Sequence, residues 1–208
     1  MRPALAALAA LLLLTACSKP APKPLPGTEV PTGFHRIGGT ANGVSIGVPT
    51  SWKSVDLAKD SFETELAATG LTGSALEQAR QGLQALTSAK AVYALDPASQ
   101  KESKQNFVTN LNGFCQPSVG GSNEALIEQA KQQLTNVGAT ITEAAPAKVG
   151  AGQGVRITYS LKMPAGTVQG TQYYAHSTHS TTCVITLTTD LPGKESLFEQ
   201  IGSTIRTL

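Results

Sequence analysis

The spacing of hydrophobic and polar residues divides the chain into an apolar leader and a domain with both helical and strand-like periods. Residues 4–14 contain only Ala and Leu. This run of eleven residues has the length of a signal-peptide core, whereas a membrane-spanning helix needs about 20 apolar residues. No later run is both apolar and long enough to span a bilayer. We therefore expect an exported chain whose remaining residues lie in water.

The domain opens with a short alternating strand. Val44, Ile46 and Val48 are separated by Ser45 and Gly47, which predicts one buried and one exposed face. Further strand-like runs rich in Thr, Val, Ile and Tyr are 92–95, 106–114, 140–147, 154–163, 169–178 and 181–189. The short connections between the last four runs predict an antiparallel meander.

Four stretches have helical spacing. The first is 57–68, and a capping box from Ser74 to Glu77 opens the second. The third is 123–136, which Gly138 is suited to cap. Its apolar stripe consists of Leu126, Ile127, Ala130, Leu134 and Val137. The fourth is 194–208, with a stripe of Leu197, Phe198, Ile201 and Ile205.

The apolar leader ends in the sequence Leu14-Thr15-Ala16-Cys17, which resembles the bacterial lipobox. The resemblance implies that residues 1–16 are removed as a lipoprotein signal peptide. It also implies that the thiol of Cys17 is diacylated and that this residue becomes the new N-terminus. Two acyl chains hold a protein on a membrane, whereas one chain alone binds marginally. The alternative is an ordinary secretory signal that happens to contain a cysteine.

Residues 17–33 are predicted to connect the lipid to the folded domain. Five prolines lie between positions 20 and 31, which favours polyproline II and leaves no apolar face to bury. We interpret this segment as a stiff, solvated tether. The single globular domain then comprises residues 34–208, a length of 175 residues that is sufficient for a hydrophobic core.

The amino-acid composition excludes one class of binding partner. The formal net charge is +2, the basic residues are scattered, and only 5% of the residues are aromatic. Nucleic-acid binding requires a basic stripe with aromatic side chains between the charges, so we expect no nucleic-acid partner. Acidic residues such as Asp56, Asp60 and Glu63 are interpreted as solvated helix positions, and no pattern predicts a cofactor.

Two cysteines remain for the domain. Cys115 and Cys183 form an even pair in a chain that is predicted to enter an oxidising compartment, so a disulfide between them is the favoured interpretation. Two free buried thiols are the first alternative. A catalytic cysteine is the second, although a pair outside the cytoplasm would oxidise.

Three short motifs resemble parts of known catalytic, phosphate-binding or metal sites. Residues 43–47 match the string G-x-S-x-G, but Ser45 lies inside an alternating strand and not on the strand-to-helix turn that a nucleophile needs. Residues 150–154 are glycine-rich but lead into a strand, so we predict a turn and no phosphate loop. His176 and His179 would face opposite sides of a strand, and no carboxylate beside them completes a metal site. We therefore assign no catalytic residue and no metal ligand.

The order of elements resembles the Mog/PsbP-like fold, in the form found in small lipoproteins of actinobacteria. The resemblance rests on the opening strand with its Trp at residues 43–52, the strand at 107–112, the helix before the strand at 154–159, and the final antiparallel run and helix. It implies an α+β fold in which a central antiparallel sheet is flanked by helices in an α/β/α sandwich. It implies no shared catalytic residues, since family members are accessory and binding proteins.

These observations predict a non-enzymatic accessory lipoprotein, anchored by lipid on the outer face of the bacterial cell membrane. The expected partner is an envelope lipid or glycolipid, or a protein. An apolar cleft beside residues 57–90 would favour the lipid, and a solid core throughout would argue against it. One alternative is an envelope hydrolase whose site is assembled from residues far apart in sequence, and another is a structural spacer.

Overall fold

A computed structural model describes residues 30–57, 73–118, 122–177 and 180–208. The leader, most of the tether, nearly all of the predicted helix 57–68 and His179 lie outside the described residues. The strands are β1 (Phe34–Gly39), β2 (Val44–Pro49), β3 (Lys53–Val55), β4 (Val92–Leu95), β5 (Asn110–Pro117), β6 (Ala139–Val149), β7 (Gly152–Met163), β8 (Gly166–His176), β9 (Thr181–Thr189) and β10 (Arg206–Thr207). The helices are α1 (Gly73–Ser88), α2 (Ser99–Glu102), α3 (Asn123–Asn136) and α4 (Glu195–Ser203), and a 3-10 helix spans Thr40–Asn42.

The strands form two antiparallel sheets. A small sheet has the order β1-β2-β10, and a large seven-stranded sheet has the order β3-β4-β5-β9-β8-β7-β6. The predicted meander is confirmed, because β6 to β9 pair in chain order with antiparallel register. The separate small sheet was not predicted.

Two hydrophobic clusters hold these layers together, one on each face of the large sheet. On one face, Ile46 of β2 and Ile201 of α4 pack with Ile185 and Leu187 of β9, and all four side chains are fully buried. On the opposite face, α3 packs on β6 to β9 through a second cluster that includes Ala130 and Leu134. The large sheet therefore lies between α3 and a mixed layer of the small sheet and α4, in agreement with the predicted α+β sandwich.

Strand β2 is buried on both faces, which corrects the prediction of a half-buried strand. Val44, Ile46 and Val48 face the core with no exposed surface, and Ser45 is only 8% exposed. The second face is covered by side chains from other segments, because Arg36 hydrogen-bonds to Ser45 and Thr204 lies against Gly47. The side chain of Val30, near the end of the predicted tether, also lies against Gly47, so the tether segment covers part of this face.

The predicted strand 106–114 begins later and extends further than its sequence pattern indicated. A turn at Lys104 and Gln105 precedes it, and the hydroxyl of Ser103 accepts hydrogen bonds from the backbone N–H groups of Gln105 and Phe107. Asn106 has a positive φ of 58°, which is incompatible with a regular strand. The strand then pairs with β9 as far as Pro117, because the partner strand continues that far.

The predicted helix 194–208 ends at Ser203, and the chain turns back into a strand. The hydroxyl of Thr204 donates to the carbonyls of Ile201 at 2.6 Å and Gly47 at 3.1 Å, and it accepts the N–H of Gly47 at 2.8 Å. These bonds stop the helix and connect it to β2, beside which Arg206 pairs with Ser45. Ile205 is buried as predicted, although it lies beyond the helix.

Helix α3 has the predicted bounds, and its predicted cap is confirmed because Gly138 adopts a φ of 84°. Its apolar stripe is confirmed for Ala130 and Leu134, which are buried. Val137 is wrongly included, because this side chain is 66% exposed at the point where the helix ends and the chain turns towards β6.

Gly150, in the turn between β6 and β7, is expected to be intolerant of substitution. Its φ is +58°, and an added Cβ would overlap the carbonyl oxygen of Ile205. We expect Gly150→Ala to lower the free energy of unfolding by about 2 kcal/mol or more, from left-handed strain and displacement of the C-terminal segment. Urea denaturation measures this change.

Gly152→Ala is the matched control for that substitution. Two residues further on, an added Cβ would meet only the carbonyl oxygen of Val149, at 3.9 Å, so we expect little loss of stability. Equal effects of the two substitutions would show that Ile205 does not restrict Gly150.

Candidate functional site

Cys115 and Cys183 are joined by a disulfide bond, in agreement with the favoured interpretation of the sequence. The two residues lie directly opposite each other in the β5–β9 pair. Cys183 is fully buried, and a Cβ on Gly43 would lie 3.2 Å from the sulfur of Cys115. The turn before β2 therefore covers the disulfide bond, which is a structural cross-link of the core.

Ser45 does not have the environment of a nucleophile. It lies in the middle of β2, is 8% exposed, and its hydroxyl accepts a hydrogen bond from the guanidinium of Arg36 at 3.4 Å. Burial, and secondarily the positive charge of Arg206, lower the pKa of Arg36. No histidine contact to Ser45 is present among the described residues.

His176 lies at the exposed end of β8, where its Nε2 is 3.1 Å from the side-chain oxygen of Asn123. His179 lies outside the described residues, so the geometry of the pair remains a prediction. Within the described part of the chain, no group of three or more His, Cys, Asp or Glu residues is arranged to hold a metal ion. His35 lies half-buried in β1.

The glycine-rich segment 150–154 is a hairpin connection, as predicted. It joins β6 to β7, and β7 begins at Gly152. Because no helix follows, the turn does not present the N-terminal amides of a helix to an anion.

An inter-sheet cleft of about 440 Å³ lies between the small sheet and the β3–β4 edge of the large sheet. Its volume is within the range of small-molecule sites, about 300–1,000 Å³. The apolar part of its lining comprises Ile37, Ala41, Val55, Leu57, Ala91, Val92 and Tyr93. The polar part comprises Asn42, Ser54, Asp56, Thr87 and Lys90. An apolar floor with polar groups around it suits an amphipathic ligand.

Hydrogen bonds between distant segments hold the walls of the inter-sheet cleft. The amide of Asn42 donates to the carbonyl of Lys90 at 2.7 Å, which connects the 3-10 helix to the start of β4. The hydroxyl of Thr87 donates to the carbonyl of Leu83 within α1 at 2.9 Å, and the carbonyl of Leu57 lies 3.3 Å from the same hydroxyl, so the residues after β3 lie against α1. The cleft therefore borders both described ends of the 57–90 region, beside which an apolar cleft is expected to favour a lipid ligand.

A polar cleft of about 340 Å³ lies at the opposite edge of the large sheet, between α4 and strands β6 to β8. Cross-strand pairs form its floor, with Thr158 opposite Thr171 and Ser160 opposite Gln169. Glu143 of β6 and the α4 end of the chain supply charged walls. The charged residues from the α4 end are Lys194, Glu195 and Glu199.

Arg156 crosses the polar cleft and connects its two walls. Its guanidinium donates to Glu199 at 2.6 Å and to Glu143 at 2.8 Å. Burial alone would lower the pKa of Arg156, but the hydrogen bonds to the two carboxylates raise it above its ordinary value. The arginine is therefore a fixed cation that holds α4 against the sheet.

Two buried phenol groups, Tyr159 of β7 and Tyr173 of β8, are neutral at physiological pH. Burial raises the pKa of Tyr159 to about 12 and the pKa of Tyr173 to about 12. The hydroxyl of Tyr173 donates to the carbonyl of Phe198 at 3.1 Å. Neither phenol is poised to accept a proton, and both contribute to packing.

Most residues that line the two clefts were not predicted as site residues. Asp56, which was interpreted as a solvated helix position, lies in the loop after β3 and lines the inter-sheet cleft. The linings of the two clefts come from segments separated by up to about a quarter of the chain, such as Ile37 with Val92 and Glu143 with Glu199. One local signal for the polar cleft is the alternation of polar Arg156, Thr158 and Ser160 along β7. This alternation is typical of a polar strand face, but it does not show which segment packs against that face.

No protein-family model and no curated protein matches the chain. Among the described residues, no helix combines the length and the apolar character needed to cross a membrane.

Solved structures do resemble the chain. The cyanobacterial PsbP protein (CyanoP) of Synechocystis has a TM-score of 0.50 and 11% identity, and the match covers 85% of this chain and 93% of that protein. The Ran-binding protein Mog1p of Saccharomyces cerevisiae has a TM-score of 0.47 and 10% identity over 84% and 95% of the two chains. A structure from Bacteroides thetaiotaomicron has a TM-score of 0.49 and 8% identity over 85% of this chain.

The likeness to the cyanobacterial PsbP protein, at a TM-score of 0.50, defines the fold class. This chain has a Mog/PsbP-like fold, as the order of its elements predicted. It spans about half, 49%, of the length of the Bacteroides structure. Because the identities are so low, the likeness establishes the fold alone, and function must be argued from the residues of this chain.

Proposed function

We propose that this protein is an extracytoplasmic lipoprotein, anchored through lipid on Cys17, whose domain is a non-enzymatic module that binds an acyl lipid of the cell envelope in the inter-sheet cleft. The lipobox and the proline-rich tether support the location. The apolar floor of the cleft is the observation that supports the ligand class.

The floor is continuous with the hydrophobic core. Ile37 and Val92 are 6% and 5% exposed and belong to the main cluster. A ligand that covers the remaining apolar surface gains about 25 cal/mol for each Å² removed from water. An acyl chain is the envelope component that offers mostly apolar surface, and it would add this gain along its length.

The edge of the cleft suits the polar end of such a lipid. Asn42, Thr87 and Lys90 lie on segments that the hydrogen bonds described above hold in place. Lys90 has a φ of 52° and is exposed. An amphipathic molecule would therefore place its chain on the floor and its headgroup among these polar groups.

Native mass spectrometry of the full chain, exported from a bacterial host and released from detergent micelles, tests this proposal. We expect an additional non-covalent mass that fragments as a lipid. Ala41 is exposed and lines the cleft, so Ala41→Phe should fill the cleft and reduce the lipid-bound fraction about tenfold. A tenfold loss of affinity corresponds to about 1.4 kcal/mol, and the aromatic ring should occlude at least that much apolar contact.

Ala165→Phe is the matched control, because Ala165 is exposed in the turn between β7 and β8 and does not line the inter-sheet cleft. It should leave the lipid-bound fraction unchanged. A bare protein mass in the wild type would contradict lipid binding and would favour a protein-binding adaptor. An equal loss in both variants would place any bound lipid elsewhere.

A further inference from the structure

We propose that the polar cleft between α4 and strands β6 to β8 is a binding site for a neutral saccharide. This site is separate from the inter-sheet cleft, so the inference does not depend on the lipid proposal. Its volume of about 340 Å³ is within the range of small-ligand sites, about 300–1,000 Å³.

The first argument is the chemistry of the floor. Thr158, Ser160, Gln169 and Thr171 line the cleft, and their side chains have no hydrogen-bond partner among the described residues. Hydroxyl and amide groups both donate and accept hydrogen bonds. Sugar hydroxyls do the same, so each of these side chains can pair with a saccharide whichever way the sugar hydroxyl is turned.

The second argument is the regular spacing of the floor. Thr158 and Thr171 are direct cross-strand partners, and so are Ser160 and Gln169, two residues further along β7. Residues two apart on a strand point to the same face. The four groups therefore form a flat grid that matches a ligand with hydroxyls at several positions around a ring.

The third argument is the charge of the walls. Arg156 is already paired with Glu143 and Glu199, and Lys194 lies 4.0 Å from Asp96. Glu195 also lines the cleft and contributes one more negative charge. With both cations compensated and one further carboxylate present, the walls disfavour a phosphate or carboxylate ligand.

An apolar ligand is disfavoured for a different reason. It would remove water from the hydroxyls of Thr158, Ser160 and Thr171 without replacing their hydrogen bonds, and burying an unsatisfied polar group costs about 1–3 kcal/mol. The oriented guanidinium and carboxylates of Arg156, Glu143 and Glu199 favour instead a ligand that accepts from the arginine and donates to the acids. A neutral sugar satisfies both requirements.

Isothermal titration calorimetry tests the proposal on the full exported chain, in a detergent without a sugar headgroup. The probes are glucose, galactose, mannose, N-acetylglucosamine and their disaccharides, with glucosamine and glucuronate as charged counterparts. We expect at least one neutral sugar to bind. Thr158→Val and Thr171→Val keep the shape of the side chain and remove one hydroxyl, so each should weaken that binding about fivefold, the effect of one hydrogen bond.

Thr188→Val is the matched control. Thr188 lies on β9 opposite Gly170, on the sheet face that Tyr159 covers, so its hydroxyl does not reach the cleft and the affinity should not change. Ser160→Ala is a second cleft variant if a valine variant folds poorly.

Three results would overturn the proposal. The first is that no neutral sugar binds at millimolar concentration. The second is that the cleft variants bind as tightly as the wild type. The third is that glucosamine or glucuronate binds more tightly than its neutral counterpart, since this would assign the cleft to a charged ligand. None of these outcomes bears on lipid binding in the inter-sheet cleft.

Discussion

Replacing Cys17 by Ser is expected to abolish fatty-acid attachment to the protein. The thiol at the end of the Leu14-Thr15-Ala16-Cys17 sequence is the proposed lipid acceptor, and a serine hydroxyl is a much weaker nucleophile than a thiolate. Metabolic labelling with a fatty-acid analogue should therefore fall from full incorporation to background. This is the largest effect that we expect, because the proposed membrane location of the protein depends on the sulfur atom of Cys17 alone.

Ser18→Ala is the matched control for this experiment, since Ser18 follows the acceptor and is not part of the lipobox. It should be labelled as the wild type is. Undiminished labelling of the Cys17→Ser variant would show that the lipobox interpretation is wrong. Background labelling of the wild type would instead make the chain an ordinary secreted protein, and in either case the two cleft proposals would stand unchanged.

Removing the disulfide has the second largest expected effect. Cys115 and Cys183 are 68 residues apart, and closing a loop of that length stabilises a fold by about 4 kcal/mol in the chain-entropy model. We expect the double variant Cys115→Ala, Cys183→Ala to lose about this much free energy of unfolding in urea. Alanine is chosen because Cys183 is fully buried, and a serine hydroxyl would need a hydrogen-bond partner there.

The reduced wild-type protein is the control for side-chain effects. It lacks the covalent bond but keeps both sulfur atoms, so its stability should fall nearly to that of the double variant. If reduction changes the free energy of unfolding by less than about 1 kcal/mol, the chain-entropy account fails for this fold. The direct pairing of β5 with β9 would then be sufficient without the bond.

Local periodicity was sufficient to locate most of the secondary structure. The bounds of β4, β9 and α3 match the predicted runs, because each has a clear hydrophobic period and a turn or cap at its ends. The disulfide could be inferred from the even pair of cysteines. The antiparallel meander followed from connections too short for a crossover.

Two of the errors lie where a distant segment overrides the local pattern. The helical stripe continued through Ile205, but the Thr204 hydroxyl bonds to Gly47, 157 residues away, and ends the helix early. The alternation in β2 suggested a solvated face, yet the side chains of Arg36, Val30 and Thr204 cover that face and leave Ser45 buried. The residue pattern along one segment does not show which distant segments pack against it.

The sequence by itself determined the predicted cellular location, the fold class and the positions of most helices and strands, since these depend on runs of neighbouring residues. Only the tertiary structure decided where a ligand could bind. The inter-sheet cleft exists because β1 packs beside β4, and the polar cleft exists because Arg156 holds α4 to β6 through Glu199 and Glu143. Concave sites form between elements, and the contacts that shape them join residues that no local period connects.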